Sequence, residues 1–171
     1  MPADPATVLA VHPVPTGAGY TLLLLLHVAS AVVGFGAVVV SGVQATAAAK
    51  GPGGARAEEA RRYFRPGVNW AARALYGVPV LGFALLGASR GAFGSGDAFV
   101  TGGLGLWLVA AAVAEAVVWP AERRVQEMVS GRWEEAAANG DLARDCRALT
   151  FGSGALAAVF VAATVLMVGK P

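Results

Sequence analysis

The chain has 171 residues, of which 56% are hydrophobic and only 14% charged, against the roughly 25% charged residues of soluble domains. Its mean hydropathy is +0.60. A chain this short and apolar has room for about four membrane spans and modest loops, which excludes a separate soluble catalytic domain. The formal net charge of +2 comes from basic residues grouped in two loops, a topology pattern rather than a nucleic-acid patch. Cys146 is the single cysteine, so an internal disulfide or a cysteine-based metal cluster is excluded.

Residues 1–19 carry Pro2, Pro5, Pro13 and Pro15 and no Lys or Arg, so they lack the basic start of a signal peptide and read as an irregular arm. The first span runs over about 19–49. Its run Tyr20 to Val43 contains one ionisable residue, His27, and Gly51, Pro52, Gly53 and Gly54 end it. The loop 50–66 carries Lys50, Arg56, Arg61, Arg62 and Arg65, with a short surface helix stopped by Pro66. A second span over 67–89 holds Pro79 in its middle, which predicts a kink there. A third span covers 99–119 and is expected to close at Pro120. In the loop 120–147, Val125, Met128, Val129 and Trp133 recur at helical spacing and predict a short amphipathic interfacial helix. The fourth span covers 148–169. The reading is a single all-α integral membrane domain, a bundle of four transmembrane helices.

Basic residues separate into the two long loops, while Arg90 and Lys170 fall on the other side. By the positive-inside rule both loops face the cytoplasm and both termini face outward. Only two of the thirteen basic residues are lysines, and Ala, Gly and Val dominate, as in a GC-rich bacterial genome. The expected location is therefore a bacterial cytoplasmic (inner) membrane. Close-approach stripes of small residues are expected between spans: Ser30 and Gly34, Ala110 and Ala114, and Gly154, Ala158 and Ala162.

Ionisable groups inside a membrane are costly and mark a partner or a function. Arg73 lies six residues inside Gly67 and Glu115 five residues inside Pro120, about 9 Å and about 7 Å deep at ~1.5 Å per residue. They share a level, which predicts a buried ion pair or a polar pocket, with Asn69 and Tyr76 on the same helical face as Arg73 and with Gln44 nearby. Such a pocket would suit a headgroup, a quinone or a proton; the plainer reading is an ion pair fixing helix register. His27 lies about 10 Å below the opposite surface and is the candidate cofactor ligand. A span histidine is how membrane haem proteins hold iron, with Met167 a weak second ligand; the plainer reading is a structural histidine. No metal site is expected, and Cys146 has no base beside it to make a nucleophile. His-Glu-x-x-His and phosphate-loop patterns are missing, so an enzyme is not indicated.

The segment Leu26-His27-Val28-Ala29-Ser30-Ala31, leading to Gly34-Phe35-Gly36, resembles the first span of a bacterial family of predicted four-helix integral membrane proteins of unknown function. Val118-Trp119-Pro120 with Gln126 and Met128 resembles that family's third-span exit. A looser version of the first motif occurs in copper-resistance-type membrane proteins. The resemblance implies a four-span bundle with a first-span histidine and carries no activity with it; copper lacks the Met and His clusters it would need here. The expected function is a non-enzymatic accessory or stabilising subunit of a larger membrane assembly, such as a respiratory complex. Its partners would be lipids and other membrane subunits or further copies of itself, and no nucleic acid. The rival is a haem- or quinone-binding redox protein using His27, or a lipid or small-molecule binder using the level of Arg73 and Glu115.

Overall fold

The computed structural model describes residues 17–169, so most of the proline-bearing arm, with His12, and Lys170 lie outside the described residues. Within them the chain forms helices α1 (Ala18–Ala48), α2 (Ala57–Tyr63), α3 (Trp70–Ala88), α4 (Ala98–Gly131), α5 (Trp133–Ala138) and α6 (Asp141–Gly169), with no strand. Four of these, α1, α3, α4 and α6, are long and apolar enough to cross a membrane. The all-α four-helix bundle expected from the sequence is the fold. We call the end bearing α2 and α5 the basic end, and the end where the chain enters and leaves the terminal end.

α1 is the centre of the bundle: it packs along α6 and against α3, and α4 packs on α6. Glycines let these backbones approach. A Cβ on Gly34 would fall on the backbone of Leu75, 2.7 Å from its Cα; one on Gly42 would meet Ser153, and one on Gly152 would meet Val118. The expected stripe of Ser30 and Gly34 therefore lies at the α1–α3 contact, and Ala110 and Ala114 are fully buried. On α6 the register differs. Gly154, Ala158 and Ala162 are exposed, while Gly152, Ser153 and Leu156 turn inward. Size alone does not say which face of a helix is covered.

The middle of α3 changes character. An α-turn, Trp70–Arg73, passes through a 3-10 turn, Ala74–Tyr76, into the α-helix Gly77–Ala88. Pro79 causes this, because it has no N–H for the carbonyl of residue 75, four positions back. A neighbouring helix supplies the donor that Leu75 lacks, and two further side chains bond carbonyls on either side of it. The Trp107 indole N–H donates to the Leu75 carbonyl at 3.0 Å, Ser30 Oγ to the Ala74 carbonyl at 2.5 Å, and His27 Nδ1 lies 2.9 Å from the Val78 carbonyl. Replacing Trp107 by Phe is expected to cost about 1–2 kcal/mol through the orphaned carbonyl. The cost should shrink in a Pro79→Ala background, where an N–H is restored. Equal losses in both backgrounds, measured by thermal unfolding in detergent, would refute the pairing.

Pro120 does not end the third span. α4 runs unbroken through it for 34 residues. The proline ring would crowd the carbonyl of residue 116 in a regular helix. Immediately upstream the helix widens into a π-turn over Ala114–Val118, which makes room for the ring. The break falls instead at Arg132, with φ −145°, between α4 and α5. The amphipathic stretch is thus an extension of the span, and it buries Val125, Met128, Val129 and Trp133 against the bundle. Trp133 donates its indole N–H to the Ala48 carbonyl at 3.3 Å and so closes the end of α1, under the Arg61 guanidinium 5.2 Å from its ring. α6 begins at Asp141, earlier than the apolar run alone suggests, and Asp145 on its first turns is buried against Arg124 at 3.0 Å.

Candidate functional site in the terminal half of the bundle

Towards the terminal end α3 and α4 do not pack on each other, and the space between them is backed by α1 and α6. The result is a half-enclosed cavity of about 550 Å³, within the range of small-molecule sites. Its wall is almost wholly apolar, built from residues such as Leu24, Phe35, Leu86, Leu104 and Phe160, with Phe35 and Phe160 stacked at 5.1 Å. Tyr20, His27, Trp107 and Thr164 are the polar exceptions, and the Met167 thioether borders the same space. Phe93 and Phe99 meet edge to face at 5.5 Å beside the α3–α4 turn.

His27 is held by its bond to the Val78 carbonyl. A carbonyl only accepts, so Nδ1 carries the proton and Nε2 carries the lone pair in the uncharged ring. Nε2 has no hydrogen-bond partner among the described residues. The ring borders the cavity, and Gly82 across from it keeps the approach open, since a Cβ there would sit 3.4 Å from His27 Cε1. A histidine oriented by one ring N–H to a backbone carbonyl, with the other nitrogen free, is the arrangement seen in metal-ligating histidines. Sequence reasoning located this residue but not its orienting partner, since the Val78 carbonyl leaves no trace in residue type.

The level of Arg73 and Glu115 is organised differently from the expected ion pair. The two do not come within 4.0 Å as a salt bridge. Tyr76 takes the place between them: its hydroxyl donates to Glu115 Oε1 and accepts from the Trp119 indole N–H at 3.0 Å. The Arg73 guanidinium lies over the Trp119 ring, 3.9 Å from its centre. Glu115 is exposed on the bundle surface rather than buried. Shared depth placed the residues at one level; it could not fix their directions around the helices.

Asn69 and Gln44 belong to other contacts. Asn69 caps the start of α3 by accepting from the Ala72 N–H at 3.2 Å, and its amide donates to Glu122 Oε1 and to the Tyr63 hydroxyl, each at 3.2 Å. Ser41 lies 2.7 Å from the Tyr63 hydroxyl and 3.2 Å from Glu122 Oε1. Burial pushes the Tyr63 phenol above its ordinary value, so it stays a neutral donor. Gln44 donates to Glu59 at 2.8 Å, and its own amide oxygen is buried without a partner. Glu122, only 5% exposed and in no ion pair among the described residues, is the polar residue that sequence reasoning missed. A signal existed: Val118, Glu122, Val125 and Val129 fall on one helical stripe, so the carboxylate had to point inward with the valines.

The profile of one family, described as "Predicted integral membrane protein (DUF2269)", matches residues 21–171. The chain belongs to that family. No curated protein and no solved structure matches it. It is an integral membrane protein with four apolar helices, and the match covers both polar clusters and the His27 cavity apart from Tyr20.

Proposed function

We propose that this protein holds a flat or elongated apolar ligand inside the membrane, in the terminal-half cavity, with His27 as its polar contact. The observation that carries the reading is the oriented imidazole: Nδ1–H is committed to the Val78 carbonyl, and the Nε2 lone pair borders about 550 Å³ of apolar space. A lone pair in that setting fits a Lewis-acidic centre or an O–H donor. Haem b meets the first description and a quinol the second, and haem is the reading we prefer. When bound, haem would supply one-electron chemistry. His27 would hold its iron, Met167 in the same wall is a second available ligand, and among the described residues Arg90 in the α3–α4 turn is a cation at that end for a carboxylate. The distribution of basic residues supports placing the basic end in the cytoplasm and the cavity in the outer half.

The test is the absorbance spectrum of the purified protein, oxidised and then dithionite-reduced, with mass spectrometry of its organic extract. A Soret band that disappears in His27→Asn supports haem; that variant keeps an N–H for Val78 and removes the ring base. A colourless protein whose extract contains a quinone lost in the same variant supports the quinol arm. A colourless protein with an empty extract sinks the reading.

A second reading, an accessory subunit of a larger membrane assembly, is supported by the outward-facing line of Gly154, Ala158 and Ala162, where another membrane helix can approach closely. Its test is co-purification from mild detergent: a stoichiometric large partner, displaced by Ala158→Phe, supports it. A chain that runs alone speaks against it.

A further inference from the structure

We infer that the groove at the level of Arg73 on the outside of the bundle is a seat for the phosphate of an anionic phospholipid in the leaflet at the basic end. Val68, Trp70, Arg73, Ala74 and Tyr76 line it. Arg73 is fixed there from one side, since its guanidinium lies flat over the Trp119 ring and Trp119 is itself buried and tied to Tyr76. That stacking leaves the edge of the guanidinium, with its fork of N–H donors, unspent. No carboxylate lies within 4.0 Å of Arg73 among the described residues, because Glu115 is taken by the Tyr76 hydroxyl.

An unneutralised cation at the edge of the hydrocarbon is costly, and a ring face answers only part of its charge. The surroundings say what answers the rest. Trp70, at the first turn of α3, is 77% exposed, and Val68 just before it is 55% exposed. An outward tryptophan at a span's end seeks the headgroup layer, so the groove lies where lipid phosphates lie. A phosphodiester accepts two parallel N–H bonds from a guanidinium, which a solvating water cannot match. The end of the bundle beside the groove is rich in further basic residues, including Arg61, Arg65 and Arg123, which favours a headgroup of net negative charge over a zwitterion.

Native mass spectrometry of the detergent-purified chain, titrated with phosphatidylglycerol or phosphatidylcholine, tests this. The wild type should retain one phosphatidylglycerol in preference to phosphatidylcholine by about fivefold, the factor expected for one basic residue near a charged surface. Arg73→Gln should lose the preference. Arg73→Lys should keep part of it, as a point charge without the fork. Trp70→Ala, an exposed position that cannot unfold the bundle, should weaken retention of both lipids. Equal retention of the two lipids by the wild type would overturn the inference, and so would wild-type preference in Arg73→Gln. Displacement of the bound lipid by inorganic phosphate alone would overturn it in favour of a free-phosphate site.

Discussion

Alanine at position 34 is expected to prise α1 and α3 apart and to lower the melting temperature of the purified protein more than any other single methyl group added to α1. The new Cβ would fall 2.7 Å from Leu75 Cα and 2.9 Å from its Cβ, with the Leu75 backbone nitrogen nearer still. Backbone cannot rotate out of the way as a flexible side-chain tip can, so the helices must separate. Overpacking of this kind costs about 1–3 kcal/mol in a well-packed core. The separation also strains bonds further along the same contact, from Ser30 to the Ala74 carbonyl at 2.5 Å and from His27 to the Val78 carbonyl at 2.9 Å. The loss should therefore extend to any ligand held at His27. Gly36, two residues on, is the control: a Cβ there meets nothing within 4 Å. Gly36→Ala should be neutral or gain up to about 1 kcal/mol from helix propensity. Equal melting temperatures for Gly34→Ala and Gly36→Ala would show that the α1–α3 contact is not the tight one described.

The number of spans was legible because long uncharged runs have few other uses, and the Pro79 distortion was legible because proline removes a donor wherever it stands. The outcome at each proline then depended on its surroundings. At Pro79 the freed carbonyl found Trp107, and at Pro120 a π-turn absorbed the ring so that the helix continued. Nothing in the residue types announces a π-turn. Azimuth was the second hidden quantity. Depth arithmetic put Arg73 and Glu115 at one level, and the structure gave Glu115 to Tyr76 and Arg73 to Trp119 instead. The same gap explains the α6 stripe, where Gly154, Ala158 and Ala162 face outward and Gly152 and Ser153 carry the contact. The cavity was illegible for a related reason: it exists because α3 and α4 stand apart towards the terminal end, and a missing contact has no motif.

Glu122 is where a single change should do most to loosen the basic end. Its Oε1 accepts from Ser41 on α1 and from Asn69 at the start of α3, and Tyr63 on α2 is joined to both of those donors. One carboxylate oxygen therefore gathers side chains from four elements at this end. With Tyr63 donating to Ser41 and Ser41 to Glu122, the bonds run in one direction and reinforce one another. Glu122→Ala removes the shared acceptor of the buried Ser41 hydroxyl and the half-buried Asn69 amide, and losing an acceptor of this kind costs about 1–3 kcal/mol. A total near 3 kcal/mol is expected, together with faster tryptic cleavage at Arg61 and Arg62, because α2 loses its anchor through Tyr63. Glu122→Gln keeps an acceptor oxygen and the shape, removes a buried charge that has no cationic partner, and should stay within about 1 kcal/mol of the wild type. The pairing is checked by Tyr63→Phe, which should cost less in the Glu122→Ala background than in the wild type, since bonded neighbours are not additive. Additive losses, or a Glu122→Ala variant that melts and resists trypsin like the wild type, would mean that the apolar faces of α4 and α5 hold this end without the carboxylate.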